Sequence, residues 1–197
     1  MKNFTVSEKS KLKITNGEKM AMPGKGWFRK PGCEFLKKRE IIYRFMRPLR
    51  LFLKELDKLS CYTPAFDHVM NQNTKDGVTG SYPTLRIEYS KLILTKGILP
   101  NPPSISVSPV KPGKLVLCWT DNGIPEALPS DLLFVAVFNC KSRRWIFKVD
   151  VAERSACRYL LDATMFQGKP VRVYAGFISA DSQRISTSLF LGKVRVF

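Results

Sequence analysis

The sequence contains a single histidine, His68, and its five cysteines are widely spaced. A Ser-His-Asp or Cys-His arrangement would have to use that one imidazole, and on a helix the adjacent Asp67 would point away from it. The two cysteines nearest in sequence, Cys140 and Cys157, are 17 positions apart, so the short spacing of structural zinc ligands is absent. We therefore expect no histidine-dependent catalysis and no metal site.

Carboxylates and phosphate-binding glycine motifs are also scarce. Of the 16 Asp and Glu residues, Asp121, Asp131 and Asp181 fall at predicted turns, where the side chain bonds the backbone. The Gly24-Lys-Gly and Gly168-Lys sequences lack the spacing and the following Ser or Thr of a P-loop. The sequence therefore indicates no cofactor and no enzyme. A pair of distant carboxylates, as in a glycosidase, would leave no local motif and stays open.

Long apolar runs are missing as well. No window approaches 18 uninterrupted apolar residues, the length that a membrane-spanning helix needs. The first residues carry no apolar core of signal-peptide length. We therefore expect no membrane span and a cytoplasmic protein with reduced thiols, with incorporation into a larger particle or assembly left open.

Basic residues, in contrast, are abundant and concentrated at one end. The chain has 33 Lys and Arg against 16 Asp and Glu, a formal net charge of +17. Residues 1–59 hold 16 basic and 6 acidic residues, a net of +10, and residues 60–197 hold 17 and 10, a net of +7. This balance favours anionic partners without identifying one.

The N-terminal third divides into an arm and a helical segment. Residues 1–36 form a polar, basic arm in which Trp27 and Phe28 lie among cations and could stack on bases. Residues 37–80 form a helical segment, because apolar residues recur at three- and four-residue spacing from Ile42 onward. Pro48 interrupts this pattern, so either the helix kinks or a second helix begins there. A further short helix is predicted to begin near residue 63.

The cations of the helical segment have two interpretations. They could bind phosphates without reading sequence, or they could form the solvated face of a helix that packs on the rest of the chain. The solvated face is favoured, because runs of charge usually serve solvation. The residues concerned are Lys37, Lys38, Arg39, Arg44, Arg47, Arg50, Lys54 and Lys58.

After residue 80 the pattern changes from helical to extended. Residues 81–103 form a strand-like connector, with alternation over 85–94 and a proline-rich end. Residues 104–197 form a β-sandwich domain, in which turn sequences such as Asp121-Asn-Gly separate seven short extended runs. The runs are 104–107, 114–120, 132–139, 145–149, 157–161, 171–178 and 185–196. The predicted fold class is therefore mainly β, an antiparallel sandwich preceded by a basic helical region.

Two aromatic residues are predicted to lie in the core of the sandwich. Trp119 falls in the second extended run and Tyr174 in the sixth, and a buried tryptophan and a corner tyrosine recur in sandwiches. With this arrangement of runs, the C-terminal half resembles an immunoglobulin-like or fibronectin type III domain. The resemblance implies seven strands in two facing layers, with both rings between them.

A second resemblance covers roughly residues 39–195. The segments that carry it, in order, are Arg47-Pro-Leu, Thr79-Gly-Ser-Tyr-Pro83, the run from Ile87 to Gly97, Trp119-Thr-Asp-Asn and Tyr174-Ala-Gly-Phe-Ile-Ser-Ala-Asp. These segments are similar to one family of uncharacterised proteins of about this length from bacteria of the Bacteroides and Flavobacterium group. That family has no established activity, so the resemblance implies a lineage and no mechanism.

Without a catalytic motif, the sequence favours a non-enzymatic structural or protein-binding module that serves as a subunit of a larger assembly. We expect a protein partner or a homo-oligomer, and no small-molecule substrate. The alternative is non-specific nucleic-acid binding through the basic N-terminal third. The last extended run would offer unpaired backbone to another chain if it lies at a sheet edge.

Overall fold

The computed structural model describes residues 31–50, 66–110, 112–121, 123 and 125–197. Four residues that the sequence nominates for binding, Trp27, Phe28, Lys54 and Lys58, lie outside the described residues, as does most of the predicted arm. The described part is mainly β, with antiparallel sheets and a short N-terminal helical region.

Two α-helices precede the sheets in the described residues. Helix α1 spans Pro31–Met46 and helix α2 spans Phe66–Asp76. Helix α1 thus starts inside the segment predicted as an arm. Its first residue is a proline, which is tolerated there because the N–H groups of the first turn have no acceptor within the helix. It ends before the 3-10 turn Arg47–Leu49, because Pro48 cannot donate the hydrogen bond that would continue an α-helix. The α-helix therefore does not run on through Pro48.

The apolar faces of both helices are buried. The two helices pack against each other, and their buried residues recur at three- and four-residue spacing, as an amphipathic helix requires. These buried residues are Ile42, Phe45 and Met46 of α1, Leu49 just beyond it, and Val69 and Met70 of α2.

The connector between the helices and the main sheets is mostly irregular. It contains two short paired strands, β1 (Val78–Thr79) and β2 (Arg86–Ile87), and a 3-10 turn at Tyr89–Lys91. The strand expected over 85–94 is therefore reduced to β2. Further along, a side chain takes the backbone bonds that a strand partner would take: Asn73 Nδ2 donates to the Ile93 carbonyl at 2.7 Å, and Asn73 Oδ1 accepts the Ile93 N–H at 3.0 Å.

The longer strands of the described residues form two antiparallel sheets. The strands are β3 Ile105–Val110, β4 Lys114–Trp119, β5 Leu132–Asn139, β6 Arg144–Lys148, β7 Arg158–Asp162, β8 Pro170–Ile178 and β9 Leu189–Arg195. Each strand overlaps one of the extended runs that the sequence predicts. One sheet has the order β3-β4-β7 and the other the order β6-β5-β8-β9, with a bulge between Val173 and Tyr174 of β8.

Both faces of the four-stranded sheet are buried, each by different partners. On one face, β5 residues such as Val135 share a buried cluster with Leu117 and Trp119 of the three-stranded sheet. On the other face, Phe134 and Tyr174 share a second cluster with the two helices and the connector. Because side chains alternate between faces along a strand, Trp119 and Tyr174 lie in different clusters, on opposite sides of this sheet, and not in one shared interior.

Candidate functional site

A groove of about 730 Å³ opens between the C-terminal end of α1, the connector and the hairpin that joins β5 to β6. Apolar and aromatic residues line most of it, together with three arginines, Arg44, Arg47 and Arg143. No carboxylate is among the described residues that line it. We call this feature the arginine groove. Its size lies within the range of small-molecule binding pockets.

Aromatic rings form the floor of the arginine groove. The centroid of the Phe45 ring lies 5.0 Å from the centroids of both Phe138 and Trp145, and the Phe138 and Trp145 centroids are 4.5 Å apart. Phe45 and Phe138 are buried, whereas Trp145 is half-buried. Such ring contacts fix the orientation of each ring, so the floor is an ordered apolar surface that exposes part of Trp145.

Tyr89 forms one wall of the groove. The guanidinium carbon of Arg172, on β8, lies 3.7 Å from the centroid of the Tyr89 ring, which is a cation–π contact. Arg172 Nη1 also contacts Cys140 Sγ. Burial, together with a hydrogen bond to Cys140, raises the pKa of Tyr89 to about 12. The phenol is therefore protonated at neutral pH, as a hydrogen-bond donor must be.

The three arginines stand at the rim and are exposed. Arg44 lies in the last turn of α1 and Arg47 in the 3-10 turn that follows it. Arg143 comes from the hairpin, where its φ of 53° places it in the left-handed region. Arg44 Nη2 lies 2.6 Å from Glu40 Oε1, and Lys37, then Arg44, lower the pKa of Glu40. Exposed pairs of this kind contribute little to stability and exchange readily for another carboxylate.

The remaining nominated cations among the described residues lie away from the groove. Lys37 Nζ lies 3.3 Å from Glu40 Oε2, and Lys38 Nζ lies 3.1 Å from Glu34 Oε1. Arg39 Nη1 donates to Asn71 Oδ1 at 2.9 Å, and its Nη2 lies 4.0 Å from the Asp67 carboxylate. Arg50 is exposed and does not line the groove. Carboxylates therefore interrupt the basic face of α1 along its length.

Sequence reasoning nominates none of Tyr89, Cys140, Arg143 and Trp145. One local signal exists, because the cations at positions 141, 143 and 144 directly precede Trp145 at a predicted hairpin turn. No comparable signal marks Tyr89 or Cys140. These two residues meet in the groove because of the path that the connector takes across the sheet.

Trp119 and Tyr174, nominated as core, are buried and each donates one hydrogen bond. Trp119 Nε1 donates to the Arg154 carbonyl at 2.6 Å, and Tyr174 Oη donates to the Tyr89 carbonyl at 2.9 Å. Burial raises the pKa of Tyr174. Tyr174 lies in the middle of β8 and bonds the distant connector, so it is not a corner tyrosine, whose hydroxyl bonds backbone a few residues upstream.

Other kinds of site are not found in the described residues. His68 is exposed on α2, and no group of three or more His, Cys, Asp or Glu side chains in the described ranges could hold a metal ion. None of the helices in those ranges combines the length and the apolar character that crossing a bilayer requires.

Known proteins similar to this chain give a family and no activity. No curated protein matches the chain. The solved structure of titin kinase and its flanking domains is similar to 49% of this chain, at 18% identity and a TM-score of 0.33, and the chain spans 16% of the length of that protein. The model of a family of unknown function matches residues 33–192. Since this match covers most of the sequence, the chain belongs to that family, DUF6266.

Proposed function

We propose that this chain is a non-enzymatic protein-binding module, and that the arginine groove binds an acidic segment of a partner protein. The observation that carries the proposal is the composition of the groove. Three exposed arginines surround an aromatic floor, the described lining contains no carboxylate, and Arg44 pairs with Glu40 beside the groove. Such a surface is complementary to a peptide that presents carboxylates on either side of an apolar side chain.

The chemistry of the side chains favours carboxylate ligands. A guanidinium presents parallel N–H donors that match the two oxygens of a carboxylate, and arginine loses less hydration than lysine when it pairs. The half-buried face of Trp145 and the Tyr89 ring would take the apolar side chain of the same segment. Arg44 would exchange its Glu40 partner for the ligand.

The scaffold of the proposed module is a seven-stranded, immunoglobulin-like sandwich. Its support is the shared cluster between the two sheets and the split into three and four strands. In constant-type immunoglobulin domains the fourth of the seven strands lies in the same sheet as the fifth strand. Here the fourth of the seven strands, β6, pairs instead with the third, β5. Similarity to other sandwiches supports a fold and not a function, so the proposed function rests on the groove.

Non-specific nucleic-acid binding is the second candidate, because Arg44 and Arg47 lie in the groove and the net charge is +17. A polynucleotide needs a basic track along its backbone. The described cations of α1 do not form one, since Glu34 and Glu40 pair with Lys38, Lys37 and Arg44. A short acidic peptide fits a compact site better than a long polyanion does.

Fluorescence anisotropy tests the proposal with three labelled probes of equal length. They are a peptide with Asp and Glu around a central Phe, the same peptide with Lys in place of the acids, and a single-stranded oligonucleotide. We expect the acidic peptide to bind and the lysine peptide not to bind. Tighter binding of the oligonucleotide than of the acidic peptide would favour the second candidate.

Substitutions then locate the binding. Arg47→Ala with Arg143→Ala should weaken peptide binding about tenfold, since each partly exposed charge pair contributes up to about 1 kcal/mol. Arg184→Ala with Lys114→Ala is the matched control, because Arg184 lies in the loop after β8, at the opposite end of the sheet from the β5–β6 hairpin, and Lys114 lies on β4 of the other sheet. Equal losses in the groove variant and the control would show that only net charge matters, and would overturn the proposal.

A further inference from the structure

Two of the sheet edges are open in the described part of the chain. Strands β6 and β7 each pair with a single neighbour, β5 and β4 respectively, whereas the edges formed by β3 and β9 lie against one another. An open edge presents unpaired N–H and C=O groups that another strand can pair with. Whether it does so depends on the side chains that the edge carries.

The hydrogen bonds between β7 and β4 show which backbone groups face outward. The carbonyl of Cys157 and the N–H of Ala163, at the two ends of β7, bond to the β4 side with N···O distances of 3.0 and 2.9 Å. Bonded pairs alternate along an antiparallel ladder, so positions 159 and 161 also bond to β4. The backbone groups of Arg158, Leu160 and Asp162 therefore point toward the open edge.

The side chains of the same three residues lie on the outer face of the three-stranded sheet. Arg158 and Asp162 are exposed, and Leu160 between them is 46% exposed. The edge thus carries a positive charge at one end, an apolar side chain in the middle and a negative charge at the other end. The β6 edge differs, because both of its exposed ends, Arg144 and Lys148, are positive.

We propose that two copies of this chain associate by antiparallel pairing of their β7 strands about a twofold axis at Leu160. A twofold axis there places Arg158 of each copy directly opposite Asp162 of the other, and Leu160 opposite itself. The two three-stranded sheets become one continuous six-stranded sheet. The same operation applied to β6 would place like charges opposite each other, which disfavours pairing.

The strand register that pairs the opposite charges also pairs the outward backbone groups. Because Arg158, Leu160 and Asp162 all direct their backbone groups outward, pairing in this register forms about six hydrogen bonds between the strands. Each opposite-charge pair across the axis adds to them. Five-residue edges bury little area, so the dimer is weak and forms at high concentration or where copies are gathered together.

Asp162 has other neighbours that the proposal has to accommodate. Its Oδ1 accepts hydrogen bonds from the Thr164 hydroxyl at 2.6 Å and from the Thr164 N–H at 2.9 Å. These bonds, with the charges of Lys114 and Lys148, lower the pKa of Asp162, so the carboxylate is ionised at neutral pH. Its second oxygen can accept from Arg158 of the other copy.

Sedimentation velocity measures the association of the full chain from about 10 µM to about 1 mM, the range in which a weak dimer dissociates. We expect the weight-average mass to rise toward that of a dimer. Leu160→Pro removes an N–H that faces the open edge and leaves the β4 bonds intact, so it should abolish the rise. A native chain that stays monomeric over the whole range overturns the proposal.

Charge reversal tests the register directly. Arg158→Asp and Asp162→Arg should each weaken self-association at least tenfold, because like charges then face each other twice. An equimolar mixture of the two variants should associate again, as opposite charges meet at both positions. Arg184→Asp makes the same charge change at a distance and should leave the association unchanged.

Two results of the charge reversal would overturn the register. One is association of the single variants at the native strength, and the other is a mixture that associates no better than its components. Circular dichroism of each variant shows that the chain is folded. Binding of the acidic peptide to the groove is read out separately, so the failure of one proposal leaves the other intact.

Discussion

Arg154 and Asp131 form a buried ion pair beside the start of β5. Both side chains are almost inaccessible, and Arg154 Nε lies 3.3 Å from Asp131 Oδ2. Arg154 Nη2 donates to the Pro100 carbonyl at 2.8 Å, and its guanidinium carbon lies 4.3 Å from the centroid of the Phe177 ring. Burial raises the pKa of Asp131, and the charge of Arg154 opposes this shift. Each charge therefore depends on the other for its place in the core.

Removing one member of this pair should destabilise the fold strongly. Asp131→Ala leaves a buried guanidinium without its partner, and we expect the free energy of unfolding to fall by about 3–5 kcal/mol. Arg154→Met leaves a buried carboxylate and should have a similar effect. Urea unfolding followed by circular dichroism measures both changes.

The double variant decides whether the two residues are coupled. Asp131→Ala with Arg154→Met leaves neither charge buried, so its loss of stability should be smaller than the sum of the two single losses. Asp181→Ala, in an exposed turn, is the control for removing an aspartate. Strict additivity of the two single losses would show that the ion pair is not a unit.

Residue roles were predictable from the sequence where they depend on local chemistry. Asp131 was predicted to serve a turn, and its Oδ2 accepts the Leu128 N–H at 3.0 Å. Its pairing with Arg154 was not predictable, because Asp131 directly precedes β5 and Arg154 lies in a 3-10 turn before β7, and these strands belong to different sheets. The same holds for the groove, where Arg44 and Arg47 were nominated and Arg143, from a distant hairpin, was not.

The connector is the element whose structure departs most from its sequence pattern. Its backbone bonds to side chains and to the loop after β8: Ser188 Oγ accepts the Leu94 N–H at 2.7 Å, and the Leu99 N–H donates to the Ile185 carbonyl at 3.0 Å. Gly97 lies between these contacts, and a Cβ added to it would come within 2.0 Å of the Ile185 carbonyl oxygen. The connector can pass there only because residue 97 has no side chain.

Gly97→Ala should therefore separate the connector from the sheet locally. We expect a loss of about 2–3 kcal/mol in the free energy of unfolding, as for other substitutions that overpack a buried contact. Chemical unfolding measures the loss. Lys96→Ala, at the adjacent exposed position, should change stability by less than about 0.5 kcal/mol. Equal effects at the two positions would mean that the backbone contact at Ile185 is dispensable.

The secondary structure was predictable where a single sequence pattern determines it. β5 follows the run predicted over 132–139, because its side chains are apolar from Leu132 to Phe138 and turn sequences flank it. Residues 85–94 show the alternation of a strand, yet the side chains of Asn73 and Ser188 accept backbone N–H bonds there in place of a neighbouring strand. Alternation reports which residues are buried, and it cannot report what their backbone bonds to.

At the scale of the whole molecule, the four-stranded sheet lies between two buried clusters. The predicted division at residue 104 would separate the sheets from the helices and the connector. Phe134, Phe138, Tyr174 and Ile178, all on the helix-facing side of that sheet, are at most 5% exposed in the whole chain. Tyr174 Oη also bonds the Tyr89 carbonyl across that division. The helices are thus part of the core and not an attachment to it.

We therefore expect residues 104–197 not to fold as an independent domain. Expressed alone, this fragment would expose the apolar face that the helices and the connector cover, a patch that soluble domains rarely tolerate. It should bind the dye ANS and lose its cooperative urea transition, whereas residues 31–197 should unfold in one transition and bind little dye. A fragment 104–197 that unfolds cooperatively, with the stability of the longer chain, would show that the two sheets fold independently and that the helices only dock onto them.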